Sequence, residues 1–175
     1  MRIVLASASP RRRELLEQAG IDFEILIGST RECITKEEPG EIVEELSLAK
    51  AKGVAEAVTG DAVIIGADTI VAKENKVLGK PKDAEDAHQM LAMLQGEKHQ
   101  VYTGVTLLQK KGDEKIIRSF HERTDVFMTS MSDQEIEAYI ATGEPFDKAG
   151  SYGIQGRAGI FVDSLADIFS PQSPS

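Results

Sequence analysis

Tryptophan is absent, cysteine occurs once, at Cys33, and aromatic residues make up only 5% of the 175-residue chain. A single thiol excludes an intramolecular disulfide framework and a cysteine-rich zinc site, and it fits a reducing compartment. Long apolar runs are lacking as well. No stretch approaches the roughly 18 residues of a membrane span, and the apolar start Ile3–Ala6 is too short for a signal h-region before it meets Pro10 and the arginines Arg11 to Arg13. The expected location is cytoplasmic, away from membranes. Basic charge is also scarce: 20 Lys+Arg against 29 Asp+Glu leave a net charge of −9. That balance argues against a nucleic-acid polymer as partner, because duplex binding needs many cations to displace counterions. Any phosphate binding must be local. What remains, 41% hydrophobic and 28% charged residues, is the composition of one soluble globular domain, and it excludes disorder and collagen-like structure.

Strand and helix signals alternate along the chain. Met1–Ala6 reads as a buried strand, and Ser9 can cap a helix with Pro10 at its first position, carrying Leu15, Leu16 and Ala19 inward and stopping at Gly20. A strand over Phe23–Ile27 is followed by a polar loop holding Arg31, Glu32 and Cys33. Helical spacing of Ile42, Val43, Leu46, Ala49, Val54 and Ala57 predicts a helix over Glu41–Val58, weakened by Gly53. Ala62–Gly66 reads as a fully buried strand with Asp68 just past its end. Ile70–Ala72 and Val77–Leu78 flank a hairpin turn, and Asp83–Leu94 is an amphipathic helix. Two long strands, Gln100–Gln109 and Lys115–Met128, precede a helix over Asp133–Ala141, a glycine-rich stretch and a strand at Ile160–Val162. The tail over residues 169–175 is too polar and proline-rich to pack, so disorder is expected there, with 1–168 as a single catalytic domain.

Several residues carry chemistry. In Ser7-Ala8-Ser9-Pro10-Arg11-Arg12-Arg13 a strand meets a helix start, where free N–H groups and the helix dipole favour an anion. Arginines there oppose the dipole unless an anion comes from outside; the plainer reading is a capped surface helix with a solvated basic face. Asp68, in Gly66-Ala67-Asp68-Thr69, could hold a hard cation or orient water, or be a turn residue. Glu32 could be a second oxygen ligand or a solvated carboxylate. Lys50 and Lys52 lie on the long helix, and Lys80 sits in a rigid Gly-Lys-Pro loop suited to a polyphosphate, although a solvated lysine is the default. Neither a dinucleotide fingerprint nor a P-loop is present. Gln155 offers an amide that could read a base edge. His88, His99 and His121 are dispersed without metal-ligand spacing and read as surface residues.

Taken together, Ser7–Arg12, Gly66–Thr69, Gly79-Lys80-Pro81, Tyr102-Thr103-Gly104-Val105 and Asp147–Gly156 resemble the Maf family of nucleoside triphosphate pyrophosphatases, in order and over about residues 3–165. The resemblance implies a mixed α/β fold around a long twisted sheet, two lobes around a cleft, similar to the inosine triphosphate pyrophosphatase architecture. It implies hydrolysis of a nucleoside triphosphate to the monophosphate and pyrophosphate with a divalent cation, Mg²⁺ or Mn²⁺. Ser-Pro-Arg-Arg, Ala-Asp-Thr and Asp-Lys-Ala-Gly with Tyr-Gly-Ile-Gln-Gly match the branch that prefers dTTP and UTP. On this resemblance Asp68 is the proton acceptor, Arg12, Thr69 and Gln155 set selectivity, and Ser9, Arg11, Glu32, Lys50 and Lys80 complete the site. On chemical grounds a metal held by Glu32 and Asp68 would polarise the phosphate, with the base role favoured for Asp68. Expected partners are the nucleotide and a second copy of the chain in a homodimer. Family members continue beyond the position of Asp167 into a Gly-Leu-Pro segment and a helix, which Phe169–Ser175 does not match. Two other readings stay open at this point: a non-catalytic nucleotide-binding regulator of cell division, and a hydrolase of inosine-type purine triphosphates.

Overall fold

The fold is that of a computed structural model, which describes residues 1–168. The segment expected to be disordered, 169–175, lies outside the described residues. Seven strands and four α-helices follow the order β1 (Arg2–Leu5), α1 (Pro10–Gln18), β2 (Glu24–Ile25), α2 (Pro39–Ala55), β3 (Ala62–Lys73), β4 (Lys76–Leu78), α3 (Ala84–Leu94), β5 (Lys98–Lys111), β6 (Glu114–Met128), α4 (Asp133–Ala141) and β7 (Val162–Ile168). Short 3₁₀ turns at Glu144–Asp147, Ala149–Ser151 and Arg157–Phe161 lie between α4 and β7. Hydrogen-bonded neighbours run β2-β1-β3-β5-β6-β7, with β4 also on β3. Because β1 pairs parallel with β2 and β3 while β3–β4 and β6–β7 are antiparallel, the sheet is mixed, and the chain is a mixed α/β protein as expected.

The chain divides into two compact units. The first comprises Met1–Asp68 and Thr103–His121, the second Thr69–Tyr102 and the chain from Glu122 onward. In the first, Val4 and Ile64 pack with Ala51, Val54 and Leu108, the valine, leucine and isoleucine side chains each contributing roughly 1.5–3 kcal/mol of burial. α2 presents Ile42, Val43, Leu46 and Val54 as its buried stripe, and its end is held by the Lys110 ammonium, which donates to the carbonyls of Ala55 and Val58. That places a cation where the helix dipole favours one. In the second unit Val71, Leu91, Leu94, Val126, Ile136 and Tyr139 belong to a separate core. Its helices start on side-chain caps. Asp83 accepts from the Asp86 amide at 2.8 Å, and Ser132 from that of Glu135 at 3.2 Å.

Four expectations are corrected. α1 buries none of its residues, and Leu15 is 61% exposed. Ala19 falls at the C-cap, which leaves two adjacent leucines about 100° apart on the helix and no apolar stripe. The strand expected over Phe23–Ile27 is reduced to Glu24–Ile25, the two residues whose register on β1 is Val4 and Leu5. The final strand starts at Val162 rather than Ile160, because Arg157–Phe161 curls into a 3₁₀ turn that leaves Ile160 exposed. Finally, β3 does not end at Gly66. It is paired at both ends, over Ala62–Ile65 with β1 and over Val71–Lys73 with β4, and runs unbroken through Asp68.

Candidate active site

In the first unit the site begins with the approach of α2 to β3. An added Cβ on Gly66 would lie 2.1 Å from the Ser47 carbonyl oxygen, so only glycine lets the helix come so near. The approach carries Lys50, one turn on from Ser47, to Asp68: the Lys50 Nζ lies 3.1 Å from Asp68 Oδ2 and 3.8 Å from Glu32 Oε1. Glu32 reaches this cation from the loop before α2, whose Thr30 packs on Gly53 where a Cβ would lie 2.3 Å from its hydroxyl oxygen. Gly53, which weakens a helix in isolation, here makes room for the loop. Asp68 is therefore not a residue beyond a strand end. It is a partly buried carboxylate inside β3, acceptable there because a lysine compensates its charge.

The Ser-Pro-Arg-Arg segment is organised by a residue the sequence reading passed over. Ser9 stands at the N-cap of α1 with Pro10 following, but its side chain makes no cap hydrogen bond. Instead the Ser7 hydroxyl accepts from the Ser9 amide at 3.3 Å and from Arg12 Nη1 at 2.9 Å. Burial pulls the Arg12 pKa down; the Asp68 carboxylate opposes that shift and neighbouring Arg11 adds to it. Arg13 turns away to an exposed ion pair with Glu17 at 2.8 Å. Protein carboxylates thus offset part of the charge for which an outside anion was invoked, while Arg11 is exposed. Ser7 could have been found from the pattern itself, since two serines precede the proline and a hydroxyl two residues before the N-cap can bridge back to the helix start.

The second unit holds Thr69, Lys80 and Gln155. Thr69 follows Asp68 in β3 and is partly buried. Lys80 is exposed between Gly79 and buried Pro81, and the Gly79 carbonyl accepts from the Gly150 amide at 3.1 Å. That bond ties the lysine loop to the glycine-rich stretch. Lys148 and, more weakly, Lys80 hold the Asp147 carboxyl below its ordinary pKa. Gln155 is exposed on the turn closed by the Gly156 amide donating to the Gly153 carbonyl at 3.1 Å. The structure therefore gathers Arg12, Glu32, Lys50 and Asp68 in one unit, and Lys80 with the Gln155-bearing stretch in the other.

His99 is a correction. Expected at the surface, it is fully buried, meets the Tyr152 ring edge-on at a centroid distance of 5.3 Å and shares a hydrogen bond between its Nε2 and the Tyr152 hydroxyl. Burial, with the nearby Lys73 charge, lowers its pKa to about 4. His121 pairs with Glu44 at 2.6 Å, and His88 with Asp133 at 3.6 Å. Among the described residues no group of three or more His, Cys, Asp or Glu is arranged to hold a metal ion. Glu32 and Asp68 nevertheless converge on one cation, the Lys50 ammonium. Two hard oxygen donors suit Mg²⁺, which is commonly held by one or two carboxylates together with water and substrate phosphates. Among the described residues no helix is long and apolar enough to cross a membrane.

Comparison with known proteins fits this ordered set of motifs. A protein of Agathobacter rectalis named dTTP/UTP pyrophosphatase is 49% identical over 176 aligned positions, covering 93% of this chain and 86% of the relative. A protein of the same name from Bacillus cytotoxicus is 48% identical over 171 positions, covering 97% and 87%. The solved structure of the Staphylococcus aureus Ham1 protein aligns with a TM-score of 0.45 at 16% identity, over 73% of this chain and 72% of that one. The family profile described as Maf-like protein matches residues 2–170. With that match over nearly its whole length, the chain belongs to the Maf-like protein family.

Proposed function

We infer that this chain is a nucleoside triphosphate pyrophosphatase acting on dTTP and UTP, releasing the monophosphate and pyrophosphate. The observation that carries the reading is the Lys50-bridged pair of carboxylates beside Arg12. The names of relatives at 48–49% identity support the substrate class. In the reaction a water oxygen bonds to the α-phosphorus while the bond to the bridging oxygen of the β-phosphate breaks. The water loses a proton, and the electron pair leaves on pyrophosphate. Asp68 takes the proton. Lys50, 3.1 Å away, fixes that carboxylate in one orientation and compensates its charge. Arg11, Arg12 and Lys80 neutralise charge growing on the pyrophosphate, and Ser9 lies at the helix start where phosphate oxygens meet backbone donors.

Glu32 would hold Mg²⁺ or Mn²⁺ beside the Asp68 carboxylate; when bound, such an ion polarises a phosphate and lowers the pKa of water. One carboxylate rarely serves as both ligand and base at once, and the base role is assigned to Asp68. Thr69 and Gln155 are assigned to the base. A glutamine amide complements the O4 acceptor and N3–H donor of thymine or uracil, whereas cytosine reverses that pair. A site built on such bonds leaves polar groups unpaired with the wrong base. The decisive measurement is pyrophosphate release from dTTP, UTP, CTP, ITP and 7-methyl-GTP, each with Mg²⁺ or Mn²⁺. The highest kcat/KM is expected for dTTP and UTP. Preference for either purine would overturn the pyrimidine assignment, and no release from any of them would overturn the hydrolase.

A further inference from the structure

We propose that Glu144 is a positioning residue for base selection, its carboxylate fixing the turn that presents Gln155. The proposal rests on the assignment of Gln155 to the base. Glu144 accepts the Tyr139 hydroxyl at 3.0 Å and the Arg157 backbone amide at 3.1 and 3.2 Å, reaching across 13 residues of chain. Gly156 lies so close that an added Cβ would sit 1.9 Å from the Glu144 Oε1. One carboxylate is therefore flanked by the two residues that follow Gln155. Hydrogen bonds to an ionised acceptor are roughly twice as strong as neutral ones.

The clamp is itself held. Tyr139 lies on α4 and is 4% exposed, so its hydroxyl aims the carboxylate from a packed helix. Burial and the Glu144 carboxylate both raise the Tyr139 pKa, which keeps the phenol protonated as a donor. The Glu144 amide donates to the Thr142 hydroxyl at 3.2 Å, and Lys148 Nζ donates to the Glu144 carbonyl at 3.2 Å. By contrast the 153–156 turn has one internal backbone bond, from Gly156 to Gly153. Gln155 is exposed at its corner. Discrimination between uracil and cytosine depends on holding an amide in one place and one orientation. Glycines alone cannot supply that rigidity, and a carboxylate held by a phenol on a packed helix can.

The test compares Glu144→Ala, Glu144→Gln and Gln155→Ala by the ratio of kcat/KM for dTTP to that for CTP. Glu144→Ala should reduce the ratio at least about tenfold through a raised KM for dTTP, as expected when a contacting group is misplaced by about an ångström. Glu144→Gln, which keeps one acceptor and the side-chain volume, should fall between it and the wild type and serves if the alanine variant does not fold. The double variant Glu144→Ala/Gln155→Ala should discriminate no worse than Gln155→Ala alone, because the two residues act through one contact. Amide hydrogen exchange at Arg157 should accelerate in both Glu144 variants. If Gln155→Ala collapses the ratio while both Glu144 variants keep it, the positioning role is overturned and the Gln155 assignment stands. If Gln155→Ala itself leaves the ratio intact, the assignment to the base fails, and the proposal with it.

Discussion

Gly66→Ala adds one methyl group and tests whether the approach of α2 to β3 builds the site. The new Cβ would lie 2.1 Å from the Ser47 carbonyl oxygen and 2.9 Å from the Ala51 backbone nitrogen. A relaxed contact needs about 3.5 Å, so the helix must retreat by more than about 1 Å. Because the clash is with backbone rather than a flexible side chain, the upper part of the roughly 1–3 kcal/mol range for overpacking applies. At about 2–4 °C per kcal/mol for a chain of this size, Tm should fall by about 6–12 °C for a loss of about 3 kcal/mol. Lys50 lies between the two clashing positions, so the same retreat lengthens its 3.1 Å contact with Asp68. A misplacement of about 1 Å can lower the rate about 100-fold. Thermal unfolding followed by circular dichroism measures the first effect, and initial rates of pyrophosphate release from dTTP, taken well below Tm, the second. A variant with Tm within about 2 °C and kcat/KM within about threefold of wild type would refute the reasoning.

Asp68→Asn should lower kcat at least about 100-fold with an unchanged circular dichroism spectrum, since the amide is nearly isosteric but cannot take the proton; near-normal turnover by the folded variant would remove Asp68 from the chemistry. Arg12→Ala and Lys80→Ala should each reduce transition-state stabilisation by about 2–4 kcal/mol, and losses in kcat/KM below about threefold for both would remove them from the chemistry. His99 gives a pH dependence of stability. Its pKa is about 4 in the folded protein against an ordinary 6.5, so the unfolded chain binds a proton the folded one refuses between those values. The stabilisation is complete above pH 6.5 and drains away as pH falls towards 4, by about 3 kcal/mol. Urea unfolding across that range measures it, and an identical acid slope in His99→Gln would show that another group is responsible.

Much of the secondary structure was written locally. The starts of α3 and α4 follow from Asp83 and Ser132, whose side chains reach an amide three residues on. The β3–β4 turn follows from Glu74-Asn75, both at positive φ. Such signals act within a few residues and need no tertiary partner. The ordered motifs likewise carried the family resemblance without coordinates. Tertiary structure decided what depends on distant chain. Asp68 sits within a strand because β1 and β4 pair with its two ends. Leu15 stays exposed because α1 offers no stripe for a core to cover. His99 is buried because Tyr152, 53 residues later, supplies its hydrogen bond. Glu144 carries no local sequence signal, and only the folded chain brings Tyr139 and Arg157 to its oxygens. A carboxylate carries the same chemistry wherever it stands. Its role comes from the donors packed around it, and residues far apart in sequence meet only when burial of the core outweighs the entropy of closing the loops between them.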